Sequence, residues 1–395
     1  MEGRSAVREY LLLALRLDAL VPGTVDDFGA TELRERVRHE PRPSPPDLVR
    51  AAGRLAHALP PDLGPARAGF LRGQLVACEW VARRLAGQRV PFRSEVAAAF
   101  DTRIALGSED VYRAAHRELA DLLPGGGPLD ARVARYRGRD EIPRERLAAA
   151  VEVMSAALRQ RTAGRIALPP GESVTYRVVG DAPWSALHHY RGGFRSRVTL
   201  NAGSRIRCAQ LAPLLAHEAY PGHHLERCRK EAGLVAAGAD EHRVVVANTP
   251  QSLVAEGAAD LGLRAVVGPG WGRWAAGVLG EVGLGFDGEL AERVDDVSAV
   301  LARVRQDAAL LLHDRHVPDR DVVDHIRRWA LVCEPRAHQV LRFLRHPLWR
   351  MYTTAYVEGP ELLRRWLGEA PPGEDRYRRL LDEPLTPEAV RAELA

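Results

Sequence analysis

The stretch Leu214-Leu215-Ala216-His217-Glu218-Ala219-Tyr220-Pro221-Gly222-His223-His224-Leu225-Glu226 decides how this chain is read. Three histidines and a glutamate fall within eight residues, directly after Leu211, Leu214 and Leu215, which recur at helical spacing. An apolar lead-in buries the backbone of such a helix. Imidazoles beside a carboxylate at its end then face a cleft, where they can hold a divalent metal. A His-Glu pair on a helix with a later His is how zinc hydrolases supply nitrogen ligands and a general base. The usual spacing is His-Glu-x-x-His, but the position four after His217 is Pro221. Histidines six or seven apart on an unbroken helix cannot share one metal, because seven residues advance about 10 Å along the axis. Pro221 removes the hydrogen bond to the carbonyl of His217, and Gly222 permits unusual backbone angles, so a local bulge can return His223 toward His217. The expected site has His217 and His223 as ligands and Glu218 as base. His224 is a supporting donor or a substitute ligand.

A third ligand is expected from a later helix. In Ser252-Leu253-Val254-Ala255-Glu256-Gly257-Ala258-Ala259-Asp260, Glu256 follows an apolar turn, and the small residues after it let helices approach closely. Asp260, one turn further on, is placed to orient a histidine ligand. His39-Glu40 is another His-Glu pair, but it lies in a charged, Pro-rich stretch without this context. A His-His-Glu set points to zinc, and manganese, iron or cobalt also suit it.

The rest of the chain bounds the reading. Its 395 residues can bury a large core, and 46% apolar with 27% charged residues are globular values. Leu11 to Leu15 is too short for a membrane span, is flanked by Arg8, Glu9 and Arg16, and precedes no cleavage pattern. The expectation is a cytoplasmic protein with no membrane partner. Cys78, Cys208, Cys228 and Cys333 form no C-x-x-C pair, which argues against a thiolate zinc knot and a disulfide framework. Net charge is only +4, and Lys230 is the lone lysine among 56 basic residues. The arginines are spread among Asp and Glu along helical segments, so nucleic acid is not an expected partner.

Residues 1 to 165 read as successive helices with Pro-rich breaks at 41–46, 60–61 and 124–128, forming a wall or lid of a cleft. Residues 166–395 hold the catalytic region, the two together forming one integrated unit. From about residue 173 the period becomes alternating, and Ser185 to Asn201, centred on Arg191-Gly192-Gly193, reads as a β-hairpin. In its second arm Phe194, Ser196, Val198 and Leu200 share one face, and Arg195, Arg197, Thr199 and Asn201 the other. An edge strand here can pair with an extended substrate, with Arg195 or Arg197 holding a substrate carboxylate and Asn201 as a further contact. The alternative is a structural hairpin with solvated arginines. Leu290, Val294, Val297, Leu301, Val304, Ala308 and Leu311 form a helical stripe that reads as core. Later helices are expected to begin near Asp319, Pro335 and Thr386-Pro387. The fold class is mainly α, with a small β-sheet beside the metal helix.

On His217, Glu218, Pro221, Gly222, His223 and His224 the sequence resembles the bacterial "domain of unknown function 885" family, whose hallmark is His-Glu-x-x-Pro-Gly-His-His. That family is grouped with thermolysin-like zinc metallopeptidases, which implies a multi-helix metallopeptidase-like fold. Its Glu-Gly-Trp-Ala-type motif is matched by Glu256-Gly257-Ala258-Ala259 except at the tryptophan, and its Tyr-x-x-Gly by Tyr356-Val357-Glu358-Gly359. A family histidine in the preceding helical region is similar to His316. The resemblance covers roughly residues 170 to 365. It implies that His217, His223 and Glu256 ligate zinc, that Glu218 is the base, and that Tyr356 and His316 stabilise an oxyanion.

The expected activity is zinc-dependent hydrolysis of an amide or peptide bond in a short peptide or small molecule. The alternatives are an amide or C–N hydrolase of a small intracellular metabolite, and a catalytically degenerate metal-binding protein in which Glu218 is dispensable.

Overall fold

Helices account for most of the chain, and the described residues add two small sheets. The computed structural model describes residues 2–180, 184–368 and 374–394. The first helix, Glu2–Leu20, is buried continuously from Tyr10 to Leu15. Such a run needs apolar partners all round, and it finds them in Pro45–His57, Gly64–Leu85 and Phe92–Phe100. The same core takes in Leu253, three residues before Glu256, and Ala355, the residue before Tyr356. The strand Val25–Asp27 also pairs antiparallel with Val244–Val246, which leads into the helix of Glu256.

The alternating region forms a three-stranded sheet of Ser173–Val179, Ala186–Gly192 and Arg195–Asn201. Gly192 and Gly193 turn the hairpin with φ of +76° and +60°, a region open to glycine at little cost. The strand Arg195–Asn201 lies in the middle, antiparallel to its hairpin partner and parallel to Ser173–Val179. Only the other two strands are edges. Ser196, Val198 and Leu200 are buried, as the alternation predicts.

The helix Cys208–Glu218 packs its apolar face into a second core. Leu211 and Leu215 meet Val198 and Leu200 of the sheet and Leu147, Val151 and Met154 of the helix Arg144–Ala163. Full burial of each leucine is worth about 1.5–3 kcal/mol, which anchors the helix that ends in His217 and Glu218. The stripe from Leu290 to Leu311 packs against the core, with Leu301, Val304 and Ala308 buried and the rest half-buried, along Gly288–Ser298, the turn Ala299–Ala302 and Arg303–His313. Helices begin at Asp319, Glu334 and Pro387, the last capped by the Thr386 hydroxyl, which accepts from the N–H of Ala389.

Candidate metal centre

The motif helix stops at Glu218, the Tyr220–Pro221 peptide is cis, and a new helix runs from His223 to Lys230. Gly222 makes the return possible. A Cβ there would collide with the carbonyl oxygen of His217 and stand 2.5 Å from that of Ala216. Its own N–H donates to Ala216 O at 2.9 Å. The chain therefore doubles back tightly, and His217 Nε2 and His223 Nε2 meet at 3.1 Å with their rings perpendicular.

Glu256 arrives on the helix Pro250–Val266, whose start is fixed by a capping box between Thr249 and Ser252. Gly257 and Gly359 let this helix touch Thr353–Leu367 backbone to backbone, since a Cβ on Gly257 would lie 2.5 Å from the carbonyl carbon of Gly359. That approach lets Tyr352 Oη donate to Glu256 Oε1 at 2.7 Å. Glu256 Oε2 lies 3.2 Å from His217 Nε2, and Oε1 lies 3.6 Å from His223 Nε2.

These residues fit a divalent metal. Oε2 of Glu256 is buried without a hydrogen-bond donor, so a cation would satisfy it. The two Nε2 atoms stand 3.1 Å apart, with one Glu256 oxygen 3.2 Å from the first and the other oxygen 3.6 Å from the second. Tetrahedral zinc ligands at their usual bond lengths are separated by about 3.3–3.5 Å. His217 Nδ1–H donates to Asp260 Oδ1 at 2.7 Å, which leaves the Nε2 lone pair facing the cluster.

The charges agree with this. Burial opposes protonation of His217 and His223, but it is outweighed by Asp260 and Glu256 at His217, and by Glu256 and Glu226 at His223. The His217 pKa is held well above its ordinary value, and that of His223 is pushed up to about 9. Burial likewise opposes ionisation of Glu256, but His223 and His217 hold it well below the usual carboxylate range. The pocket is one that seeks positive charge. Glu218, 8% exposed, is raised by burial, with His217 and His223 pulling the other way. A carboxylate raised in this way is better matched to accepting a proton near neutral pH.

The structure brings together His217, Glu218, His223, Glu256, Asp260 and Tyr356, whose ring centroid lies 6.4 Å from that of His217. It moves five other expected residues elsewhere. His224 is not an alternative ligand: its Nε2–H donates to Glu172 Oε2 at 2.9 Å, and its Nδ1 pairs with Ser196 Oγ at 2.8 Å. Arg195 and Arg197 alternate with Ser196, so they lie on the sheet face turned away from that contact. Asn201 is buried, its amide donating to Trp184 O and its carbonyl oxygen accepting from the N–H of Gly203, which is a structural role. His316 is exposed in the loop after Arg303–His313. Arg303 and Gln306, at the start of that helix, hydrogen-bond to Glu358 of the Tyr356 helix, whereas His316 lies beyond its other end. Tyr352 was missed from sequence, although it stands one helical turn before Tyr356. So was His188, whose ring centroid lies 5.9 Å from that of His223 and whose Nε2 pairs with Ser196 Oγ at 2.8 Å.

No family model matches the chain, and no curated protein matches it. Two solved structures share its architecture. One is described as the "putative lipoprotein from Colwellia psychrerythraea", 15% identical with a TM-score of 0.52 over 87% of this chain and 65% of that one. The other is a "putative lipoprotein of unknown function from Shewanella oneidensis", 12% identical with a TM-score of 0.53 over 96% of this chain and 69% of that one. This chain thus spans 65% of the length of the Colwellia protein, and at these identities the likeness is one of fold alone. It overturns the expected cytoplasmic placement, since a fold carried by proteins described as lipoproteins is no mark of a cytoplasmic protein. Among the described residues no helix is long and apolar enough to cross a membrane.

Proposed function

We propose that the protein is a metal-dependent hydrolase of an amide or peptide bond, with zinc as the metal. The observation that carries this reading is the convergence of His217, His223 and Glu256 on one point, with Glu218 buried in the same field. The reading is the one implied by the motif's resemblance to the "domain of unknown function 885" family. A divalent metal held there supplies Lewis acidity and lowers the pKa of water to about 7. Glu218 takes the proton of the attacking water and passes it to the leaving nitrogen. Asp260 fixes the tautomer of His217, and Tyr352 orients Glu256. Tyr356, 38% exposed beside His217, offers its hydroxyl to the oxygen that becomes negative as the carbonyl is attacked.

Elemental analysis of untagged protein tests this, with His217→Ala and Glu218→Gln alongside. About one equivalent of zinc is expected in wild type and Glu218→Gln, and little in His217→Ala. Hydrolysis of a peptide and small-amide panel should fall by about 10²–10⁴-fold in Glu218→Gln. Metal absent from every form after reconstitution would remove the reading. Full activity in Glu218→Gln would remove its base, and metal binding without hydrolysis of any amide would favour the non-enzymatic alternative.

A further inference from the structure

A line of aromatic rings leads away from the metal cluster. Tyr352 and Tyr356 stand one helical turn apart, so they share a face, and their ring centroids lie 5.5 Å apart. Both reach the cluster: Tyr352 Oη donates to Glu256 Oε1 at 2.7 Å, and the ring centroid of Tyr356 lies 6.4 Å from that of His217. Trp349 meets Tyr352 edge to face, with centroids 5.3 Å apart and planes at 85°. Trp349 also lies nearly parallel to Phe343, at 5.9 Å and 10°, and to His346, at 6.1 Å and 26°. From the cluster outward the order is Tyr356, Tyr352, Trp349, and then Phe343 with His346.

A fixed scaffold presents these rings. Residues 346–352 join the helix Glu334–Arg345 to Thr353–Leu367. Leu348 and Met351 anchor the segment in the interior, both buried. Its backbone is tied by Asn248, whose Nδ2 donates to Leu348 O at 2.8 Å, and by Arg84, whose Nη2 donates to Pro347 O at 2.9 Å. The rings between these anchors stay within reach of solvent. Phe343, Trp349 and Tyr352 are half-buried and Tyr356 is exposed, whereas rings that serve only the core, such as Trp271, Trp366 and Phe70, are buried. Water is thus left against a continuous aromatic surface that begins at the cluster, and an apolar group that covers it is favoured by releasing that water. Trp349 has no hydrogen bond to any residue of the cluster among the described residues.

We propose that Trp349, with Phe343, Tyr352 and Tyr356, forms a substrate subsite that takes the aromatic side chain of a residue beside the scissile amide, the amide itself lying at the His217–His223–Glu256 cluster. The placing of the scissile bond rests on the hydrolase reading above. The substrate class is then a short peptide or acylated amino acid that carries an aromatic side chain. The corner between Trp349 and Tyr352 offers a ring face and a ring edge together, the two arrangements in which a further ring packs best. Trp349 sets the preference, because its ring extends the surface beyond the two tyrosines that touch the cluster.

The test uses full-length, zinc-loaded Glu218→Gln protein, so that ligands survive. It is dialysed to equilibrium against a pool of dipeptides carrying phenylalanine, tyrosine or tryptophan at either position, and against a matched pool carrying alanine there. Retention is read by mass spectrometry. Aromatic members should be retained about tenfold over alanine members, the worth of covering one face of a ring. The preference should fall below about twofold when Trp349→Ala is added, with zinc content unchanged. Trp349→Phe, which keeps a ring on the same anchored segment, should retain most of it. No preference for aromatic members, or a preference that survives both Trp349→Ala and Phe343→Ala, overturns the subsite. Incubating the same pools with wild type separates the two ideas. A binding preference without hydrolysis removes the hydrolase reading and leaves the aromatic subsite, whereas hydrolysis of aromatic and alanine members alike removes the subsite alone.

Discussion

Asp260→Ala should weaken zinc binding by about tenfold, a loss worked from the geometry around His217. Asp260 Oδ1 accepts from His217 Nδ1–H at 2.7 Å. Without it, the imidazole loses the partner that fixes its tautomer and the nearby charge that makes Nε2 a better donor. A hydrogen bond to a charged group is worth about 1.5–3 kcal/mol when buried, or roughly 13- to 160-fold in a binding constant. The Asp260 side chain is 37% exposed, so solvent screens part of this and the lower end applies. Asp260→Asn keeps an acceptor oxygen without the charge, and should therefore lose less than Asp260→Ala. Competition with a chromophoric chelator at pH 7 gives both constants directly. The reasoning fails if Asp260→Ala binds zinc as wild type does, or if Asn and Ala are equally damaging. In the second case packing, not orientation of His217, would be the role of this residue.

Other perturbations probe the scaffold around the cluster. Gly222→Ala should abolish zinc binding and cost about 3 kcal/mol or more in denaturant unfolding, because its Cβ meets backbone carbonyls that cannot move aside; unaltered zinc content would show that the return of His223 does not depend on this glycine. Gly257→Ala should separate the helices of Glu256 and Tyr352, raising the zinc dissociation constant and destabilising the fold by about 1–3 kcal/mol, and wild-type behaviour in both assays would remove the close contact as a requirement. His242 is buried with both ring nitrogens unpartnered, and its pKa is pushed down to about 3 by burial and by Lys230, Arg227 and Arg67. The native state therefore binds fewer protons than the unfolded state between those values, so this stability is complete above about pH 6.5 and is lost as pH falls toward the folded value. The difference in unfolding free energy between pH 7 and pH 5 should shrink by about 2 kcal/mol in His242→Phe; an unchanged difference would show that His242 charges freely in the folded protein.

The candidate metal cluster was legible because its residues come from local patterns. Pro221-Gly222 announced a break that could return His223 to His217, and the small residues after Glu256 announced a close helix contact. What stayed hidden depends on tertiary placement. Alternation sorted Ser196 from Arg195 and Arg197, but a period of two cannot say which face looks toward the motif. The face that does so is that of Ser196, where His224 and His188 meet. Tyr352 carries no motif, and acquires meaning only once the helix Pro250–Val266 and the start of Thr353–Leu367 are seen side by side. His316 lies past the end of the helix Arg303–His313, exposed in the loop that follows, where helical periodicity no longer fixes which way a side chain faces.

The break at Pro221-Gly222 also explains why two adjacent histidines follow it. On a helix, neighbours in sequence diverge by about 100°, so His223 and His224 cannot serve the same point. With a new helix starting at His223, the first imidazole faces His217 and the second faces the sheet. The pKa of Glu172 is held down to about 2 because its hydrogen bonds to His224, Tyr220 and Arg159 outweigh burial, so it is a carboxylate at neutral pH. It accepts from His224 Nε2–H, which leaves Nδ1 to accept the hydroxyl proton of Ser196, and Ser196 Oγ in turn to accept from His188 Nε2–H. Each group in this line orients the next, ending at a ring beside the candidate ligand His223. The second histidine of the motif thus ties the metal helix to the central strand. Its loss should loosen the position of His223 without removing a donor atom, a weaker effect than loss of His217 or Glu256.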